Sequence, residues 1–117
     1  MKDFSEHFRE LVQGLLPPDS RVLLPSGGGD LIILATWRLT SDPTRPTKRS
    51  RMIRLILADE AVEDYARASD GLRLASDSRL LALLKDRLAT FDPDHDSPRG
   101  VIPPAVTWTV TTLDLNG

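Results

Sequence analysis

The stretch that decides the fold is residues 50–91, SRMIRLILADEAVEDYARASDGLRLASDSRLLALLKDRLATF. In its opening run Ile53, Leu55 and Leu57 recur at every second position, the period of a strand that buries one face. Asp59 then stands where a helix N-cap belongs, with Glu60 and Glu63 in the first turn, near the positive end of the helix dipole. Val62, Tyr65, Ala66 and Ser69 share one side of this helix, and Gly71 occupies a C-cap position. A second helix is expected from Ser76 or Asp77. Its stripe of Leu80, Leu81, Leu84, Leu88 and Phe91 ends at Asp92-Pro93, because proline restricts the residue before it.

Towards the N-terminus, Phe4, Phe8, Leu11, Val12 and Leu15 recur at helical spacing over residues 3–15, and Asp3 with Glu6 resembles a capping box. Gly14 weakens the end of this helix and Pro17-Pro18 closes it. Arg21 to Leu24 is a short strand, and Ser26-Gly27-Gly28-Gly29-Asp30 is a flexible hairpin connection. From Leu31 to Thr40 the alternation is clear: Leu31, Ile33, Ala35, Trp37 and Leu39 lie on one face, with Thr36, Arg38 and Thr40 on the other. Residues 41–50 form a loop punctuated by Pro43 and Pro46. Beyond the second long helix, residues 92–104 are irregular and rich in proline. A threonine-rich strand follows at 105–113, with Val106, Trp108 and Val110 on one face.

The order is α-β-β-β-α-α-β over one domain, residues 1–117. Short loops between successive strands imply an antiparallel sheet of about four strands, with three helices on one face, an α+β two-layer sandwich. Phe8, Val12, Leu55, Leu57, Tyr65, Leu81 and Leu84 are expected together in its core. The last strand pairs with an edge of the sheet or with a neighbouring chain.

Composition sets the bounds. The 117 residues are 40% hydrophobic and 27% charged, with a net charge of −2, which gives no overall attraction to nucleic acid or an anionic membrane. No cysteine is present, which rules out disulfides, thiolate metal sites and a cysteine nucleophile. The polar start and the lack of any run of about 18 apolar residues point to a cytoplasmic protein with no membrane partner.

The basic cluster Arg38, Arg45, Lys48, Arg49, Arg51 and Arg54 is the candidate binding patch, opposed in sequence only by Asp42. Such charges on a loop and strand can neutralise phosphates; the plainer reading is a solvated hairpin that blunts a strand or pairs with Asp59, Glu60, Glu63 and Asp64. Over residues 3–70 the helix–strand–strand–strand–helix order resembles the double-stranded-RNA-binding domain. That resemblance implies a basic cluster at the start of the second helix, where this chain reads Asp59-Glu60-Ala61-Val62-Glu63-Asp64. The same order also resembles the small acidic dimeric chaperones of type III secretion, from which the tandem helices at 59–91 depart.

Asp92, Asp94, His95 and Asp96 gather possible metal ligands, and the three aspartates match the first alternating ligands of an EF-hand loop. Ser97 then replaces the turn glycine and Pro103 the bidentate glutamate, so a turn is the expected role, with no metal and no cofactor. Ser26–Asp30 lacks the Lys-Ser/Thr pair of a phosphate loop, and His7 and Glu10 are expected to face solvent. Trp37 and Trp108 are candidates for a stacking platform, but each sits on the apolar face of its strand and is expected in the core or at a dimer seam. Without a catalytic constellation the chain reads as a small non-enzymatic interaction domain binding protein, with nucleic acid as the alternative. An enzyme would require a deep pocket placing His7 or His95 beside a carboxylate. The uncharged strand at 105–113 invites a second copy of the chain, against the alternative that helices cover it within the monomer.

Overall fold

The computed structural model of the chain describes residues 4–17, 20–25, 30–39, 49–94 and 104–116. Its elements run α1 (Ser5–Gly14), β1 (Arg21–Leu23), β2 (Leu31–Thr36), β3 (Ile53–Leu57), α2 (Asp59–Arg67), α3 (Asp70–Ala89), β4 (Val106–Val110) and α4 (Thr112–Asn116). The α+β class and the element order are those expected, with α4 added. The four strands lie side by side in the order β1-β2-β3-β4. β2 runs antiparallel to both of its neighbours, β1 and β3, whereas β4 runs parallel to β3, so the sheet is mixed. The cause is the long return through the helices. At 1.5 Å per residue the 20-residue α3 is about 30 Å long. It carries the chain back past the start of β3, where the Arg51 N–H donates to the Pro93 carbonyl at 2.9 Å. A strand entering there can only run alongside β3 in the same direction.

The joint between α2 and α3 lies earlier than the helix signals indicate. Gly71 does not cap α2; it sits in the first turn of α3. The start at Ser76 or Asp77 is corrected to Asp70, because Ser69 supplies the N-cap and its Oγ accepts from the Leu72 N–H at 3.4 Å. Arg73 then secures the end of α2, donating from Nε to the Tyr65 carbonyl at 3.0 Å and from Nη2 to the Ala66 carbonyl at 2.6 Å. The N-cap of α2 is Ala58, not Asp59. Its Asx-type oxygen comes from elsewhere: Asp30 Oδ1 accepts from the Asp59 N–H at 2.9 Å, a cap that the Leu31–Leu57 pairing of β2 with β3 brings into reach. At α1 the N-cap is Phe4, and Asp3 lies outside the described residues.

β4 is shorter than the expected strand at 105–113. Thr111 and Asp114 form a capping pair, with Asp114 Oδ2 accepting from the Thr111 N–H at 2.8 Å and from its hydroxyl at 3.1 Å. The chain therefore turns into α4. Leu115 is buried beneath it, and its carbonyl accepts from Ser76 Oγ at 3.2 Å and Arg79 Nη1 at 3.1 Å.

The helices gather on one face of the sheet. Ile33, Ala35, Ile53, Leu55, Leu57 and Val110 from the strands meet Phe8, Val12, Tyr65, Leu80 and Leu84 from the helices in one core. Leu81 is the exception to the expected core: it is half-buried, and Leu80 takes the fully buried place. Trp37 is buried and Trp108 half-buried, each edge-on to Phe91 at 5.8 and 5.7 Å between ring centroids. Among the described residues no helix is long and apolar enough to cross a membrane.

Candidate interaction surface

Alternation along the strands sends every second side chain away from the helices. On this outer face Arg21 stands opposite Thr36, Leu23 opposite Leu34, Leu34 opposite Arg54, Ile32 opposite Ile56, and Arg54 and Ile56 opposite Thr107 and Thr109. Leu23 is 56% exposed, while Ile32, Leu34 and Ile56 are half-buried. No described helix packs there, and the neighbours across the strands lie close enough to give partial cover. None of the strand residues on this face is acidic. Arg21, Arg38 and Arg54 are exposed and make no ion pair or hydrogen bond with a described residue.

The basic cluster of the sequence is divided by this geometry. Arg45 and Lys48 lie outside the described residues. Arg54 faces outward from β3. Arg51 does not: it follows the inward parity of Ile53, and its Nη2 donates to the Asp94 carbonyl at 3.3 Å, holding the chain that leaves α3. Arg49 reaches the outer face through a slip in register. Ala35 is paired with Ile53 but Arg38 with Arg49, so three steps along one strand are matched by four along the other. The extra residue lets Ser50 turn inward, where it is buried, accepts at Oγ from the Trp37 N–H at 3.1 Å and donates its own N–H to the Trp37 carbonyl at 2.7 Å. Arg49 is thereby re-aimed beside Arg38, and its guanidinium donates to Thr36 Oγ1 and to the Thr36 carbonyl, both at 3.0 Å. The surface thus carries Arg38, Arg49 and Arg54 from the expected patch and loses Arg51. It gains Arg21, distant in sequence and recruited by the β1–β2 pairing.

The face is graded. Arg38 and Arg49 occupy one end, Arg21, Thr36, Leu23, Leu34 and Arg54 the middle, and Ile32, Ile56 and Thr109 the other end. Among the described residues it has no aromatic side chain, since Trp37 packs in the core and Trp108 against it. The start of α2 presents Asp59, Glu60, Glu63 and Asp64, all exposed.

The remaining candidates are occupied by structure. Asp92 Oδ1 accepts from the Asp94 N–H at 3.0 Å, the self-bonding of an Asx turn; His95 and Asp96 lie outside the described residues, among which no cluster of three metal-ligating side chains occurs. His7 does not face solvent freely: its Nε2 lies 3.0 Å from Asp77 Oδ2 and its ring stacks on Tyr65 with centroids 5.8 Å apart, joining α1 to α3. Glu10 is exposed as expected. The setting is a surface cleft lined by Phe4, His7, Tyr65, Asp70, Arg73, Leu74 and Asp77, with no serine, threonine or cysteine among its described lining residues. Burial raises the Tyr65 phenol well above its ordinary range; the Asp77 carboxylate adds to the rise and the Arg73 guanidinium opposes it. Beneath α1 an apolar void of about 10 Å3, lined by Val12, Ile33, Leu55, Leu84 and Trp108 among others, holds no more than a water-sized group.

Comparison with protein-family models, with curated proteins and with solved structures returns no match to this chain.

Proposed function

We propose that the chain is a small non-enzymatic interaction domain, cytoplasmic, whose open sheet face binds a protein segment acidic along one side and aliphatic along the other. The observation that carries this reading is the composition of that face, with Arg21, Arg38, Arg49 and Arg54 interleaved with Leu23, Leu34, Ile32 and Ile56 and no acidic strand residue among them. Arginine provides planar forks for carboxylates, and exposed aliphatic side chains beside them gain from leaving water. A non-enzymatic role fits the one histidine–carboxylate pair described. It lies in an open cleft with no serine, threonine or cysteine among its described lining residues, and its tyrosine is held in the neutral form.

Four arginines on one face also favour a second reading, nucleic acid. Against it stand the aliphatic groups, which gain nothing from a phosphate backbone, and the absence among the described residues of an outward aromatic for stacking. Titration with two probes separates the readings: a synthetic amphipathic helical peptide of glutamate and leucine, and an RNA duplex of about 16 base pairs. The peptide is expected to bind the protein, and Arg21→Glu/Arg54→Glu to weaken it at least tenfold. Tighter binding of the duplex, with log K falling by about 0.9 per neutralised phosphate against log salt, would put nucleic acid in the peptide's place. No response of either probe to the double charge reversal removes this face as a binding site.

A further inference from the structure

The two edges of the sheet are unequal. β1 is three residues long, begins with Arg21 and is followed by Pro25, so its free edge is short, charged and soon ended. β4 has five residues, Val106-Thr107-Trp108-Thr109-Val110, with no charge, no proline and no described residue paired along its outer edge. The Val106 N–H donates to the Met52 carbonyl and the Val110 carbonyl accepts from the Ala58 N–H, both at 2.9 Å, so these residues direct their peptide groups to β3. Alternation then directs the N–H and C=O of Thr107 and Thr109 away from the sheet. The helix layer also stops short of this edge. Val110 is fully buried, but Val106 and Trp108, on the same face of the same strand, are only half-buried.

We propose that two copies of the chain join edge to edge along β4, antiparallel, about a two-fold axis perpendicular to the sheet. The edge is its own complement. Setting Thr107 opposite the partner's Thr109, and the reverse, lets both pairs exchange N–H···O bonds in each direction. The same register places Trp108 opposite the partner's Trp108 at the close, non-hydrogen-bonded position, with Cβ atoms about 4.5–5.5 Å apart. The half-covered indole and Val106 thereby acquire the neighbours that the helices do not supply. A two-fold axis in this orientation keeps both helix layers on one side and both arginine-bearing faces on the other. Arg54 is paired with Thr107 and so lies one strand from the seam in each copy. At about 4.8 Å per strand, the two Arg54 positions stand three strands apart, about 14 Å across the joined sheet. The dimer makes one continuous face of two, independently of what that face binds.

The oligomeric state, read without any ligand, tests this. Sedimentation equilibrium from micromolar to hundreds of micromolar is expected to show a reversible monomer–dimer equilibrium. Far-UV circular dichroism is expected to carry a tryptophan exciton couplet that fades on dilution and is absent in Trp108→Phe. Thr109→Pro removes only an outward N–H and keeps the bonds to β3; it is expected to raise the dimer dissociation constant at least tenfold. Thr107→Lys/Thr109→Lys, at two exposed positions, is expected to do the same through like charges at the seam. If Thr109→Pro fails to fold, the lysine pair decides. A wild-type chain that stays monomeric at hundreds of micromolar, or a lysine pair that dimerises as the wild type does, overturns the proposal.

Discussion

The two faces of the sheet come from the same alternating strands, yet they solve different problems. On the inner face Ile33, Leu55 and Leu57 are all but removed from water, and each meets helix side chains chosen for volume. On the outer face the same strands offer Arg21, Leu34, Arg54 and Ile56, none of which is covered by a described helix. The contrast separates what the fold needs from what it leaves available. A strand needs one buried face to be held in register; the other face is free to carry charge and half-exposed aliphatics, provided these cost little stability.

The contrast breaks first at the core. Leu80→Ala removes a fully buried side chain and is expected to lower unfolding free energy by about 2–5 kcal/mol in urea melts, through lost burial and a residual cavity. Leu34→Ala on the outer face is expected to cost less than about 1 kcal/mol. Equal losses would mean that the outer face is covered.

Tyr65 sharpens the account of the helix layer through pH. Its phenol is raised in the folded protein, so at high pH the unfolded chain loses the proton that the folded one retains. Stability is therefore expected to be level below the ordinary phenol value of about 10 and to fall as pH rises beyond it. Tyr65→Phe is expected to flatten that fall. An unchanged slope in the variant would place the titration elsewhere.

The caps give smaller effects. Asp30→Ala and Ser69→Ala are each expected to cost about 1 kcal/mol by thermal or urea unfolding. Asp30 is expected to cost the more, since its bond to Asp59 is 2.9 Å and that of Ser69 to Leu72 is 3.4 Å. Smallest of all, Arg54→Glu is expected to leave stability within about 0.5 kcal/mol of the parent, because Arg54 is exposed and unpaired among the described residues. A loss beyond 2 kcal/mol, the scale of a buried group, would assign that arginine to the fold.

Much of this architecture is legible in local pattern. The period of two at 31–39 and 53–57 marks the inward set, and of the leucine stripe in α3 Leu80 and Leu84 are buried while Leu81 and Leu88 are half-buried. What escaped was long-range. The helix joint lies ahead of Gly71 because Arg73 and Ser69 together satisfy the helix ends, so the glycine is not needed as a stop. The parallel direction of β4 depends on how far α3 carries the chain. The basic cluster was visible as composition but not as a surface. One extra residue at Ser50 turns Arg49 outward while Arg51 stays with the helix side, and Arg21 joins through strand pairing. The cap on α2 likewise comes from Asp30, far off in sequence, and no local signal marks it.

The most direct test of the outer face is to map, residue by residue, where an acidic amphipathic peptide of glutamate and leucine touches the protein, by following amide and arginine side-chain NMR signals during titration. Saturable shifts are expected at Arg21, Leu23, Leu34, Thr36, Arg54 and Ile56, with α2 and α3 unmoved. Shifts confined to α2 and α3, or none at all, would contradict the assignment of this face as the binding surface.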